Sequence, residues 1–198
     1  MIRTPNLFLR ADQFERRVCL FANAACQRQT IRQFFRVVSR LGDGIFWYAL
    51  MLTLPYWQWL EWKRSIGPVV GPASELSFFE LSAWQVSLKM LLAGAVGLAL
   101  YKLLKVRLVR ERPFIGLMGI ECAMPPLDRY SFPSGHTLHA VTFTAIAIHY
   151  VPMLAWVLVP FALLVAASRV VLGLHYPSDV LAGALIGAAI AAVTIGVG

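Results

Sequence analysis

Five long apolar runs, separated by segments that contain charges, prolines or glycines, follow one another along the chain after residue 42. They cover residues 45–62, 81–104, 135–150, 153–172 and 180–198. A helix needs about 20 predominantly apolar residues to cross a bilayer, so this pattern predicts membrane spans. We therefore predict an all-α, polytopic membrane helix bundle.

The first 41 residues have a different pattern. Apolar side chains recur at helical spacing at Ile31, Phe34, Phe35, Val38 and Leu41, and arginines fall on the other side at Arg28, Arg32, Arg36 and Arg40. Such a helix is typical of the membrane interface, and a helix packed on the bundle is the alternative. Residues 14–30 are a candidate re-entrant segment or sixth span. The fold prediction is thus five to six transmembrane helices plus an N-terminal amphipathic interfacial helix.

Composition supports a membrane protein. Hydrophobic residues make up 59% and charged residues 14% of the chain, against about 45–50% and about 25% in soluble domains. The net charge of +8 does not lie on aromatic-interleaved polar surface, so we expect no nucleic-acid partner and assign the charge to contact with anionic lipid headgroups or phosphate. The three cysteines have no zinc-type spacing, which predicts reduced thiols and no metal site.

Polar residues cluster at the ends of the predicted spans. Short turns make neighbouring spans antiparallel, so three of these clusters are expected on one membrane face. They are Lys105 and Arg112 after the second span, Ser134-Gly135-His136 at the start of the third, and Ser168-Arg169, His175 and Asp179 between the fourth and fifth.

The cations of this set suit a phosphate group. Lys105 and Arg112 are seven residues apart, or two helical turns, so we expect both to point the same way, about 10 Å apart along the axis. Arg169 adds a guanidinium fork that matches phosphate oxygens. Ser134 and Gly135 stand at a helix start, where free N–H groups favour an anion.

Two histidines and one carboxylate complete the set. His136 and His175 have the residue type that serves as nucleophile or proton donor near neutral pH. Asp179, four residues after His175, could accept its ring N–H. One carboxylate without cysteine ligands gives poor support for a metal. The set therefore describes phosphoryl transfer without a metal.

With these residues, the chain resembles the type-2 phosphatidic acid phosphatase superfamily, which includes bacterial lipid phosphatases, glucose-6-phosphatase and vanadium haloperoxidases. Its three-part signature is matched by Lys105 six residues before Arg112-Pro113, by Pro133-Ser134-Gly135-His136, and by Ser168-Arg169 followed by His175 and Asp179. The resemblance runs from about residue 42 to the C-terminus and does not explain the arginine-rich first 40 residues. We accordingly divide the chain into an amphipathic segment, residues 1–41, and a membrane-embedded lipid phosphatase domain, residues 42–198.

The resemblance implies a role for each matching residue. His175 would take the phosphoryl group as a phosphohistidine, Asp179 would orient it, and His136 would protonate the leaving oxygen. Phosphate would be bound by Lys105, Arg112, Ser134, Gly135 and Arg169. The resemblance implies no metal and no cofactor.

Three further residues have more than one interpretation, and a fourth is excluded from the site. His139 and Tyr130 are candidates for supporting contacts to the site, with packing as the alternative for His139 and interface anchoring for Tyr130. Lys89 lies inside the second span and is either functional or directed to the nearer membrane surface. His149 ends the third span on the opposite face and is excluded from the site.

The resemblance also bounds the substrate and the location. A lipid phosphate at the bilayer surface is implied, with undecaprenyl diphosphate favoured over phosphatidylglycerol phosphate, phosphatidic acid and lipid A. The implied location is the bacterial inner membrane with the site on the periplasmic face. The arginine-rich N-terminus favours the cytoplasmic face instead. The non-enzyme alternatives are a lipid-phosphate transporter and a non-catalytic membrane scaffold, and the oligomeric state is left open.

Overall fold

A computed structural model describes residues 6–65 and 83–197, and the elements in this part of the chain are helices and turns. Most of the predicted loop at residues 63–80 and the predicted start of the second span at residue 81 lie outside the described residues. The helices are α1 (Asn6–Ala24), α2 (Gln29–Arg40), α3 (Phe46–Ser65), α4 (Ala83–Arg107), α5 (Pro113–Gly116), α6 (Gly135–Tyr150), α7 (Ala155–Val171) and α8 (Pro177–Gly196).

The all-α membrane bundle is confirmed. In the described part, four helical segments are long and apolar enough to cross a membrane: Gln29–Leu60, α4, Pro152–Val171 and α8. The 16-residue α6 is shorter, yet it is the centre of the bundle and packs against α4, α7 and α8. Its buried side chains, including Phe143 and Ile146, form the main core with Trp47 and Val165.

Gly42-Asp43-Gly44 lies at a kink between α2 and α3. Residues Leu41–Ile45 form a widened helical turn in which Gly44 has a φ of 130°, a conformation that glycine adopts readily. A Cβ on Gly42 would lie 3.0 Å from a methyl group of Val165, so this glycine lets the kink approach α7. The kink holds Asp43 beside the start of α6.

The predicted amphipathic helix, α2, has both an enclosed and an exposed face. It packs against α7, with Val38 and Ser39 buried, while Phe34 and Val37 are exposed. Two of its arginines reach the segment before α6: Arg32 pairs with Glu121, and Arg36 Nε donates to the carbonyl oxygen of Ala123. The N-terminal segment is thus attached to the bundle, and some of its apolar side chains remain exposed on the surface of the protein.

Two glycines four residues apart allow α8 to touch the backbone of α6, because small residues at this spacing permit a close approach of two helices. A Cβ on Gly183 would lie 2.5 Å from the carbonyl oxygen of Ser134, and one on Gly187 would be closer still to that of Leu138. The Ser134 N–H also donates to the carbonyl oxygen of Asp179, 3.0 Å away. Close packing therefore brings the starts of α6 and α8 together.

The turn between α7 and α8 is fixed by the N-terminal helix. Asn23 of α1 donates from Nδ2 to the carbonyl oxygens of Glu121 and Val171, both 3.0 Å away, and its Oδ1 accepts from the Glu121 N–H. Gly173, with a φ of 74°, passes so close to Glu121 that a Cβ would lie 2.7 Å from its carbonyl oxygen. This turn carries His175.

Candidate functional site

One end of the bundle holds a cavity of about 360 Å³ that collects the predicted site residues from separate elements. It is lined by Lys105 from the end of α4, Arg112, Gly135 and His136 from the start of α6, Arg169 from the last turn of α7, and His175. Ser134 and Asp179 lie directly behind this lining and are fully buried. The structure brings all eight predicted residues to this end of the bundle.

Lys105 and Arg112 meet in a different way from the predicted one. Helix α4 ends at Arg107, and Arg112 has extended backbone angles in front of α5, so the two-turn helical spacing is wrong. Both side chains nevertheless reach the same carboxylate, that of Asp128. Lys105 Nζ lies 2.5 Å from both of its oxygens, and Arg112 Nη2 lies 2.7 Å from Oδ1.

Arg112 is held from three sides. Its Nε donates to the Asp128 carbonyl oxygen at 3.0 Å, and its Nη1 donates to the Leu174 carbonyl oxygen at 2.8 Å. Nη1 also lies 3.4 Å from His175 Nε2. Since the side chain is only 2% exposed, these bonds fix the guanidinium plane against the imidazole.

Arg169 is the third buried cation of the cavity. Its Nη1 donates to the hydroxyl of Ser39 in α2, whereas its Nε is buried and has no hydrogen-bond partner among the described residues. A buried donor without a partner is costly, and the residue that carries it is part of the cavity lining.

His175 lies between these cations and Asp179. Its Nδ1 is 3.7 Å from Asp179 Oδ2, longer than a hydrogen bond of about 2.7–3.2 Å, so the predicted bond between them is not formed. Asp179 Oδ2 instead accepts from the Tyr176 N–H at 2.9 Å, and Oδ1 accepts from Arg110 Nη1 at 2.6 Å. The carboxylate faces the imidazole while it is held by other donors.

Burial lowers the pKa of His175 well below its ordinary value, and the positive charges of Arg169, Arg112 and Lys105 lower it further. Lowering the pKa of a histidine extends the neutral form to lower pH. The imidazole therefore stays unprotonated through neutral pH, which leaves a ring nitrogen lone pair free for a nucleophilic role.

We expect the His175 imidazole to remain neutral as the pH falls through about 6.5, the ordinary histidine value. The measurement is the pH dependence of the side-chain nitrogen shifts in protein labelled with ¹⁵N-histidine, with the signal assigned by its loss in His175→Asn. A titration midpoint close to the ordinary value would contradict the expected effect of burial.

The two other histidines of this end belong to α6. Nε2 of His136 contacts Oδ1 of Asp43 from the α2–α3 kink. His139 lines the cavity, and its ring lies between the carbonyl oxygens of Gly135, 2.9 Å from Nδ1, and Gly94, 3.2 Å from Nε2. His139 thus packs between α4 and α6.

Tyr130 and Lys89 are placed away from these contacts. Tyr130 is not part of the cavity lining, and its ring lies against the guanidinium of Arg129. Lys89 Nζ donates to the carbonyl oxygen of Thr194 near the other end of α8, 3.2 Å away. His149 is exposed at the end of α6. In the described residues, no three His, Cys, Asp or Glu side chains are grouped as metal ligands.

Three charged residues of the site were not found from the sequence: Asp43, Asp128 and Arg110. Arg110 bridges Asp179 and Glu15 of α1, with Nη2 2.8 Å from the Glu15 carboxylate. From the sequence, contact of Arg110 with a lipid headgroup and a solvated or lipid-facing position are equally compatible with its place after the second span. For Asp43 a signal was available, since a charged residue between two glycines at a helix break is unusual; Asp128 had none beyond its acidity in a basic segment.

Comparison with known proteins gives a consistent result. The PAP2 superfamily model matches residues 83–197. An undecaprenyl-diphosphatase of Sulfolobus acidocaldarius is 31% identical over 104 residues, which are 52% of this chain and 50% of that protein. The undecaprenyl-diphosphatase BcrC of Bacillus subtilis is 32% identical over 105 residues, which are 53% of this chain and 51% of that protein. The matched chain thus spans about half the length of these curated relatives.

The fold is similar to that of a solved membrane phosphatase. The crystal structure of a PAP2-type phosphatidylglycerolphosphate phosphatase from Bacillus subtilis superposes with a TM-score of 0.67 and 21% identity, over 99% of this chain and 88% of that one. The family model covers more than half of the chain and includes every matched signature residue from Lys105 to Asp179. This chain belongs to the PAP2 superfamily.

Proposed function

We propose that this protein is a membrane phosphatase that removes a phosphate from a polyprenyl diphosphate, with undecaprenyl diphosphate as the favoured substrate. The observation that carries the proposal is a cavity in which three buried cations meet His136 and His175 beside an apolar groove. Phosphatidylglycerol phosphate, phosphatidic acid and lipid A are the alternative substrates within the same reaction class.

The reaction would pass through a phosphohistidine on His175. Nε2 is the nitrogen on the side of Arg112, 3.4 Å from Nη1, so it would attack phosphorus while the bond from phosphorus to the leaving oxygen breaks. Asp179, facing Nδ1 at 3.7 Å, would stabilise the positive charge that develops on the ring. Such a covalent intermediate divides the transfer into two steps with lower barriers.

His136 would supply and recover the proton. It donates a proton to the leaving oxygen in the first step and accepts one from the water that attacks phosphorus in the second, when the bond between nitrogen and phosphorus breaks. The three non-bridging oxygens of the phosphoryl group would be bound by Lys105, Arg112 and Arg169. These cations would stabilise the negative charge on those oxygens in the transition state. The net products are orthophosphate and the lipid with one phosphate fewer.

The shape of the groove favours a lipid with one long chain as the substrate. From Lys105 the cavity lining continues along α4 to Leu98, Ala95 and Leu91, a distance of about 21 Å at the helical rise of 1.5 Å per residue. Trp47 and Met51 of α3 form the facing wall. Leu98 and Leu91 are exposed, so the groove opens to the side, where a lipid chain lies. The two undecaprenyl-diphosphatase relatives support the same choice.

The proposal is tested with a panel of lipid phosphates and purified protein in detergent. Phosphate release is expected to be fastest from the polyprenyl diphosphate. Faster release from phosphatidylglycerol phosphate or lipid A would contradict the assignment of the substrate. The assignment of the reaction class would be unaffected. Binding of these lipids without any release would support the transporter or scaffold alternatives.

Ala95→Phe should lower kcat/KM for the long-chain substrate by about tenfold, because a ring at this position fills the groove and pocket selectivity of this kind is worth roughly one to two orders of magnitude. A short-chain alkyl phosphate should be hydrolysed as before. The matched control is Ala188→Phe on the exposed side of α8. An equal fall for both substrates would indicate damage to the fold instead of a chain site.

The location is part of the same proposal. We place the protein in the bacterial inner membrane with the cavity on the periplasmic face, on the strength of the family resemblance. The cytoplasmic face is the alternative, since Ser39 at the end of the arginine-rich α2 bonds to Arg169 and arginine-rich segments favour the cytoplasm. The division of the chain at residue 42 stays a proposal, and the bond from Arg169 to Ser39 joins the two segments at the cavity.

A further inference from the structure

The Asp128 carboxylate occupies hydrogen-bond donors that the phosphate of a substrate would need. Its Oδ1 accepts from Lys105 Nζ at 2.5 Å and from Arg112 Nη2 at 2.7 Å, and its Oδ2 accepts from Lys105 Nζ at 2.5 Å. Two carboxylate oxygens that bridge an ammonium and a guanidinium take the place that two phosphate oxygens would take on the same cations. Asp128 also lines the cavity.

The carboxylate is not required to hold Arg112 in place. The guanidinium keeps its bond to the carbonyl oxygen of Leu174, 2.8 Å from Nη1, and Nε bonds to the backbone oxygen of Asp128 rather than to its side chain. The two partners also differ in burial: the Arg112 side chain is 2% exposed and that of Asp128 33%. The cation is fixed in the wall, whereas the carboxylate lies at the rim.

We propose that Asp128 is an internal anion that competes with phosphate for Lys105 and Arg112 and thereby sets the charge that an incoming group must carry. This rests on the proposed function, since it treats the same cavity as the phosphate site. A singly charged phosphodiester would gain little by displacing a carboxylate of equal charge. A terminal phosphate or diphosphate carries more charge and would displace it.

The same exchange would help to release the product. Without a competing anion, three cations in a low-dielectric cavity would hold orthophosphate tightly. Once the orthophosphate had left, the same cations would repel one another. A carboxylate that returns to Lys105 and Arg112 offsets both effects. Burial raises the pKa of Asp128, but the hydrogen bonds and charges of Lys105 and Arg112 outweigh burial and hold it below the ordinary value. The competitor is therefore charged throughout the neutral range.

The test is Asp128→Asn, which keeps the shape and the backbone oxygen but removes the charge. Orthophosphate and vanadate should bind at least tenfold more tightly to the variant, measured by titration calorimetry on purified protein in detergent. The matched control is Glu121→Gln, an exposed carboxylate paired with Arg32, for which no change is expected. Unchanged or weaker anion binding in Asp128→Asn would overturn the proposal, and weaker binding would instead assign Asp128 to positioning the cations.

A second measurement uses the wild-type protein, in case the variant does not fold. Carbodiimide-driven amidation of Asp128, read by mass spectrometry, should increase at least threefold when vanadate is added, because the displaced carboxylate becomes accessible. Equal or slower amidation would contradict displacement. Anion binding and amidation need no turnover, so a failure to hydrolyse any lipid would overturn the proposed function while this inference is judged separately.

Discussion

His175→Asn is expected to lower phosphate release by about 10⁴-fold or more, because loss of a nucleophile removes the covalent route and leaves only binding and charge stabilisation. The substitution removes the nitrogen that lies 3.4 Å from Arg112 Nη1. Orthophosphate release is measured with the best lipid of the panel. Rapid quench with substrate labelled in the terminal phosphate should trap an acid-labile, base-stable phosphoenzyme in the wild type and none in the variant.

The matched control is His149→Asn, at the exposed end of α6. It should keep wild-type activity and the labelled intermediate. If His175→Asn retained more than a few per cent of the activity, or still formed the phosphoenzyme, the assignment of the nucleophile would be wrong. Circular dichroism and thermal unfolding of both variants separate a loss of chemistry from a loss of structure.

Arg112→Lys is expected to lower kcat/KM by roughly 10²–10³-fold, the effect of removing one fixed donor from a transition-state anion. The positive charge is kept, but a single ammonium group cannot replace Nε, Nη1 and Nη2, which bind in three directions. Lysine would have to choose between the Leu174 carbonyl oxygen, Asp128 and the phosphate. Activity is measured on the same lipid, with the melting temperature recorded in parallel.

Arg129→Lys is the control for this substitution, because Arg129 is an exposed arginine of the same segment that stacks on Tyr130. Its kcat/KM should change less than about twofold. If Arg112→Lys lost less than about fivefold while its melting temperature was unchanged, the guanidinium fork would not be what binds the phosphate, and Lys105 and Arg169 would have to carry that role.

The fold class and the family could both be predicted from the sequence alone. Apolar runs predicted the membrane helices because a span is a local property of about 20 consecutive residues. The spacing of Gly183 and Gly187 predicts the close approach of a neighbouring helix, since small residues one turn apart leave a flat helix face, and the structure identifies that helix as α6. The signature residues were identified individually because they differ in type from the apolar residues around them.

The tertiary structure alone decided how the charges of the site are paired. Asp43 reaches His136 over 93 residues of sequence, and Arg110 reaches Asp179 over 69. The helix prediction for Lys105 and Arg112 was wrong because α4 ends between them, and a carboxylate from beyond the turn, Asp128, joins them instead. Such pairings depend on where loops return. A charged residue in a loop has many solvated positions available to it, and only the packing of distant segments selects one.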